Sequence, residues 1–432
     1  MSQSQQPLLF PDADFDEQPR RDTSSTFADN LSLPVHRWFR YSAGFSAGWA
    51  EAVIADAARH SRARVLDPFA GSGTTLLAAE DVGVEALGVE AHPFICRVAR
   101  AKLLRRTDHD AYKRLARRVR TLAEKCAPDT THYPALIQKC YTPEALAKLD
   151  ALRRALLQVA DMSPAWELTW LTLASVLRVS SFVGTAQWQY VLPKKEKKRT
   201  ADPFDAFDAA AHQIACDMRF SSQRVNGPPA SLFCEDARTC ASVPDGFATL
   251  VVTSPPYPNN YDYADATRLE MCFFGEINGW GDLQTTVRDR LIRSCSQHVP
   301  QKAVALSAVL TAKELAPLQP QLGEVCEQLS AVRETKGGKK TYHLMVACYF
   351  HDLARVWTTL RRVCASPSRV CFVIGDSAPY GVYVPVMDWL GRLALAAGFS
   401  GWTFEKMRDR NVKWKNRKHR VPLCEGRLWV DG

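Results

Sequence analysis

The chain has 432 residues, 46% of them hydrophobic, with a formal net charge of +9 and a sequence pI near 8.9. That length exceeds one minimal domain, the 13 cysteines include no Cys-x-x-Cys pair, and no apolar run reaches the ~20 residues a bilayer span needs. A zinc ribbon, a disulfide framework and a transmembrane helix are therefore excluded, a reducing compartment is expected, and the positive charge suits a nucleic-acid partner.

Residues 1–30 are polar, rich in Gln, Ser, Asp and Pro, and lack the basic-then-apolar pattern of a signal; they read as a disordered lead-in. From Arg64 to Glu80 the order is apolar strand, glycine turn, helix. Gly71 and Gly73 permit a tight turn and close backbone approach to a ligand, with a helix N-terminus behind it. A phosphate-binding loop needs Gly-Lys-Ser/Thr, but Thr74-Thr75 follow Gly73. A dinucleotide fingerprint needs a third small residue where Leu76 stands. What remains is an acid at the strand end, Asp67, facing the turn, which suits a ligand carrying a positive amino group. A second strand follows from Val84 and ends at Glu90, where a ribose diol is expected; the plainer alternative is a solvated strand-end acid.

His92-Pro93 opens the next helix. The middle of the chain then reads helical: Asp110 to Glu124 with a basic face, a helix begun by Thr142-Pro143-Glu144, a buried one from Pro164 to Leu177, and another from Asp205 to Met218. Trp166 and Trp170 read as core residues. Lys194 to Arg199 reads as a charged loop, either solvated or touching phosphates.

Leu250-Val251-Val252 reads as a buried parallel strand. Thr253-Ser254-Pro255-Pro256-Tyr257 follows it. Two prolines stop the ladder and impose an extended, rigid backbone. That exposes the Ser254 hydroxyl, aims carbonyls into a cleft and presents the Tyr257 ring. An exocyclic amine on a planar base needs such a site: acceptors for two N–H bonds and a ring to stack on. Alone, the string also fits an ordinary turn. Asn259 to Asp265 is dense in polar and aromatic groups and suits a loop closing over a base. Arg333, Lys336, Lys339 and Lys340 read as a flexible basic loop. Tyr342 to Cys364 reads as one helix, Arg369 to Ile374 as a strand, and Val384 to Ala397 as a helix closed by Gly398. Lys406 to Arg420 reads as a basic hairpin or edge turn.

Asp67 through Thr75 resembles the S-adenosyl-L-methionine motif of the DNA amino-methyltransferases, and Ser254-Pro255-Pro256-Tyr257 resembles their catalytic motif. The resemblance extends to Trp38–Phe45, to Cys234–Arg238 and to Phe372–Asp376. It implies a Rossmann-like α/β core with a mostly parallel sheet, a helical insertion and a C-terminal antiparallel strand pair. Residues 31–100 would be the cofactor half, 101–230 the insertion with a place in target recognition, and 231–432 the catalytic half with DNA-contacting loops. Phe45, Asp67, Pro68, Phe69, Gly71, Gly73, Thr74, Thr75, Glu90, Asp236 and Ala237 would hold the cofactor; Ser254, Pro255, Pro256 and Tyr257 would act on the base. No metal is implied, since the histidines lack metal-like spacing.

The serine form is commoner among enzymes that methylate cytosine N4, and Asp or Asn forms among those that methylate adenine N6. Cytosine N4 in double-stranded DNA is therefore the expected target, in a cytoplasmic enzyme with room for a restriction or phage-defence partner. Adenine N6, an RNA amine and a silent DNA-binding subunit are the rival readings. Methylation at cytosine C5 needs a cysteine nucleophile, usually in a Pro-Cys pair, and the chain has no such pair. The layout departs from the family's standard orders: the cofactor motif comes first, and the long segment 100–230 lies between the second strand and Asp236.

Overall fold

Val65, Leu66 and Asp67 are fully buried, and the strand they form, β1 (Arg64–Asp67), sits at the centre of a parallel sheet. A computed structural model describes residues 28–41, 44–185, 191–225, 227–259, 261–299, 304–337, 340–410 and 421–432. Its other strands are β2 (Glu85–Val89), β3 (Val183–Thr185), β4 (Val191–Glu196), β5 (Ser231–Phe233), β6 (Ala248–Thr253), β7 (Cys364–Gly375), β8 (Gly401–Arg410) and β9 (Leu423–Asp431). Among the described residues seven strands form the main sheet, in the order β5-β2-β1-β6-β7-β9-β8. Pairing is parallel from β5 to β7, while β9 runs antiparallel to both β7 and β8.

The chain leaves β1 for β2 on one side and later enters β6 on the other, with Leu66 opposite Val251. The strand order therefore reverses between β1 and β6, and a crevice opens beyond their carboxyl ends. Helices α1 (Ala47–His60), α2 (Thr74–Val82) and α3 (Pro93–Leu103) belong to this half. The helices Tyr342–Val363 and Val386–Ala396 pack against the sheet in the other half, where Trp357 stacks on Phe372 of β7.

Between α3 and β5 lies the expected helical segment: α4 (His109–Ala123), α5 (Ala135–Cys140), α6 (Pro143–Gln158), α7 (Pro164–Ser180) and α8 (Pro203–Arg224). The caps follow the sequence, since Asp108, Thr142, Ser163 and Asp202 each accept from backbone N–H groups of the first turn. Trp166 and Trp170 are buried, and the Trp170 ring meets Phe94 of α3 edge-on at 5.5 Å, which fastens the segment to the core. Asp217 of α8 accepts from Arg37 at 2.6 Å, Trp38 Nε1 at 2.8 Å and Val35 N at 3.2 Å. That buried carboxylate pins the stretch that leads to Tyr41.

Three expectations change. Lys194, Lys195 and Glu196 belong to strand β4, which pairs with β3, so the charge run is not simply a loop. Its Lys197 is turned inward and donates to the Arg178 and Ser181 carbonyls, whereas Lys195, Lys198 and Arg199 are exposed. The lead-in ends earlier than residue 30: Ala28–Leu31 form a 3-10 turn, and buried Asn30 bonds Phe45 O and Ala47 N. The helix Gln319–Glu334 takes in Arg333, so the expected basic loop begins after it. Residues 1–27, Gly338, Lys339 and 411–420 lie outside the described residues.

Candidate active site

The turn after β1 is set by two left-handed glycines, Gly71 (φ +52) and Gly73 (φ +91). A Cβ at Gly71 would stand 3.1 Å from the Tyr41 ring, so the tyrosine lies directly on the turn. Ala70 N donates to Val89 O at 2.9 Å and ties the turn to the end of β2. Asp67 is 1% exposed; its Oδ1 accepts from the Thr253 hydroxyl at 2.6 Å and from Phe69 N at 3.0 Å. Burial pushes its pKa up to about 6, against hydrogen bonds from Thr253, Thr75 and Phe69 that lower it.

Glu90 follows β2. Its Oε2 accepts from Gly71 N and its Oε1 from His92 N, both at 2.8 Å. Burial pushes this carboxyl up to about 7, although both backbone donors favour the charged form. Asp236, after β5, is clasped by Arg238 at 2.6 Å, and Arg238 also reaches Asp352 at 3.2 Å. Ser254, directly after β6, donates its hydroxyl hydrogen to Val373 O at 3.0 Å. The Arg410 guanidinium lies 5.0 Å from the centre of the Tyr257 ring, anchored by the Asp376 carbonyl at 2.7 Å. Burial raises the Tyr257 phenol above its usual range.

These ends meet at one cleft, open to solvent. Pro68, Phe69, Gly71, Glu90, Asp236, Ala237, Ser254 and Pro256 border it. Other expected site residues stand elsewhere. Asp67 lies behind the wall, Thr75 donates to Val252 O, and Phe45 packs on Trp49 at 5.7 Å. Thr74 borders a second, smaller hollow beside Ser72 and Tyr41. Gly73, Pro255 and Tyr257 are not on the cleft wall, and Pro255 is buried.

Sequence reasoning missed Ala91, His92, Arg290, Leu291 and Ile292 as wall residues; Tyr263 was expected only within the loop that closes over a base, and Tyr41 only within the stretch Trp38–Phe45. Tyr263 and Arg290–Ile292 carry no motif of their own. They are brought together by a buried charge cluster. Asp262 pairs with Arg288 at 2.8 Å and with His298 Nε2 at 3.1 Å, while His298 Nδ1 stands 3.1 Å from Ile292 O. Both ring nitrogens face acceptors, so His298 is an imidazolium. Burial opposes that charge, but Cys295 and Asp262 beside it hold His298 well above its usual range. Asp262, Cys295 and His298 bring ligand-type atoms within 4.8 Å of one another. Arg288 and the helix-capping bonds already occupy the Asp262 carboxylate, however, and the cluster serves to tie the loop after Tyr257 to the segment Arg288–His298.

A mostly parallel α/β sheet, with a glycine turn after β1 and Ser-Pro-Pro-Tyr after the adjoining β6, is the arrangement that the resemblance to the amino-methyltransferases implies. The N6/N4 methyltransferase family model, described as DNA methylase, matches residues 15–101. The chain is 26% identical over 404 residues to Type II methyltransferase M.AvaI of Nostoc sp. and of Anabaena variabilis, covering 87% of this chain and 81% of the relative. It is 22% identical over 442 residues to Type II methyltransferase M.BsoBI of Geobacillus stearothermophilus, covering 92% and 86%. No solved structure matches it. These matches support the N6/N4 DNA amino-methyltransferase family as the one that this chain resembles. Among the described residues no helix is long and apolar enough to cross a membrane.

Proposed function

We propose that this methyltransferase transfers the methyl group of S-adenosylmethionine to cytosine N4 in double-stranded DNA, on a base swung out of the duplex. The observation that carries the reading is the shared wall: the turn after β1, and Ser254 and Pro256 after β6, border one cleft at the switch point of the sheet. The side chains present suit the cofactor. Glu90 offers carboxylate oxygens to a ribose diol, Phe69, Ala91 and Ile292 offer apolar surface to an adenine, and Asp236 stands beside Ala237 at the end of β5. When bound, S-adenosylmethionine supplies a methyl group on a cationic sulfur. Asp67 works from behind the wall, fixing the turn to β6 through Phe69 N and Thr253.

The exocyclic nitrogen of a base is a poor nucleophile because its lone pair is delocalised into the ring. Acceptors that hold its hydrogens favour a more tetrahedral nitrogen and so stabilise the transition state. Ser254 spends its own hydrogen on Val373 O, which leaves its oxygen to accept from the amine. The carbonyl of Pro255 is the second acceptor in this reading, and Tyr257 is the stacking ring. Arg410 covers one face of that ring, so the base takes the other face or displaces the guanidinium. After transfer the amine sheds one proton to solvent. No covalent intermediate is needed.

Serine at position 254, followed by an intact Pro255-Pro256-Tyr257, supports cytosine N4 over adenine N6. The relatives named as Type II methyltransferases support a restriction or phage-defence setting. Transfer of a labelled methyl group to unmethylated duplex DNA, in parallel with RNA, tests the substrate class. DNA should take up label with wild type, and Ser254→Ala should lose transfer while keeping cofactor affinity. Label appearing in RNA alone would reject the reading.

A further inference from the structure

Trp280 is 50% exposed, on the loop between the helix Arg268–Phe274 and the cleft segment Arg288–Ile292. An exposed indole offers a large flat face for stacking. Glycines flank it, and nothing lies within 4 Å of where a Cβ would stand at Gly279 or Gly281. The ring is nonetheless held in place, since the Arg288 guanidinium lies 4.2 Å from its centre. Arg288 is itself 1% exposed and grips Asp262 at 2.8 Å. Asp262 directly precedes Tyr263 on the cleft wall, and Arg290 on that wall lies two residues beyond Arg288. Through Arg288 and Asp262 the exposed indole is thus joined to the loop that leaves Ser254–Tyr257.

We propose that Trp280 contacts the DNA substrate, stacking at the gap that the extruded base leaves and holding that gap open. The inference rests on the reading of the site as one that acts on a flipped base. Extrusion unstacks the neighbouring pairs, and a flat side chain inserted there recovers part of that loss for any sequence. The mount on Arg288 presents the ring at little ordering cost, and the Arg288–Asp262 pair couples its position to the wall at Tyr263.

The target site is first mapped on DNA methylated by wild type. Short duplexes carrying that site are then compared with the same duplexes bearing an abasic position opposite the target base, where less pairing resists extrusion. Trp280→Ala should weaken binding and turnover on the paired duplex, by roughly five- to a hundredfold, the range set by removing one stacking platform. On the abasic duplex the variant should approach wild type, cofactor affinity should be unchanged, and Trp280→Phe should retain most of the function. Full activity of Trp280→Ala on the paired duplex would remove Trp280 from the DNA interface. Equal losses on both duplexes, or a parallel loss of cofactor affinity, would make the indole a structural cover for Arg288. If wild type methylates no DNA at all, the reading of the cleft falls and this inference with it.

Discussion

Titrating cofactor binding across neutral pH isolates the part that Glu90 plays. Burial holds its carboxyl at about 7, so the ligand-free protein changes from a neutral acid to a carboxylate within the working range. Only the carboxylate is a full acceptor for two ribose hydroxyls. The charged fraction is about nine-tenths at one pH unit above the pKa and about one-tenth at one unit below, so affinity should fall about tenfold from pH 8 to pH 6. Near pH 7 binding should release about half a proton, which calorimetry reads from the heats in two buffers of different ionisation enthalpy. Glu90→Gln should bind weakly at every pH and lose this slope, and the comparison cancels any titration of the ligand itself. A flat wild-type profile, or the wild-type slope surviving in Glu90→Gln, would refute the reasoning. Stability runs the opposite way. A carboxyl raised above its unfolded value contributes stability in full below about 4.5 and loses it as pH rises through about 7; Asp67, raised to about 6, adds to the same trend. Conditions that favour binding therefore weaken the empty protein.

Tyr257→Ala should reduce methylation and DNA affinity by roughly 1–3 kcal/mol while leaving cofactor affinity unchanged, as read by filter binding and calorimetry. Asp217→Ala removes a buried carboxylate that accepts four hydrogen bonds from three residues and should cost roughly 3–5 kcal/mol in urea denaturation. Burial lowers Lys102 to about 7, so its contribution is present above the unfolded value near 10.5 and is lost as pH falls through 7; Lys102→Met should flatten the rise in stability between those values. Replacing the exposed Lys195, Lys198 and Arg199 with alanine should lower the salt slope of DNA affinity by about 0.9 for each phosphate that is no longer neutralised, and an unchanged slope would mark them as solvated.

The strands and long helices were legible because each repeats a simple period, and Thr142-Pro143 announced one helix start; Ser163 and Asp202 cap helices in the same way, and the helix expected from Asp205 begins at Pro203. The two motif turns were legible because glycines and prolines constrain the backbone locally. The charge run at Lys194 was misread because β4 pairs with a three-residue strand too short to show a period. Asp67 looked like a wall residue because it ends a strand; only the Thr253 hydroxyl, 186 positions away, reveals that its carboxylate is spent inside the fold. Ile292 and Arg290 reach the cleft through the Asp262–Arg288–His298 cluster, which joins segments that no local pattern announces as neighbours.

The central claim is that an amine of a DNA base receives the methyl group in the cleft between β1 and β6. Nucleosides from unmethylated duplex DNA incubated with the protein and S-adenosylmethionine, separated and weighed, test it most directly. The account predicts N4-methylcytosine, absent when Ser254→Ala replaces wild type. N6-methyladenine as the new species would overturn the choice of base and keep the chemistry, whereas 5-methylcytosine would contradict the account, because attack by an amine cannot place a methyl group on carbon.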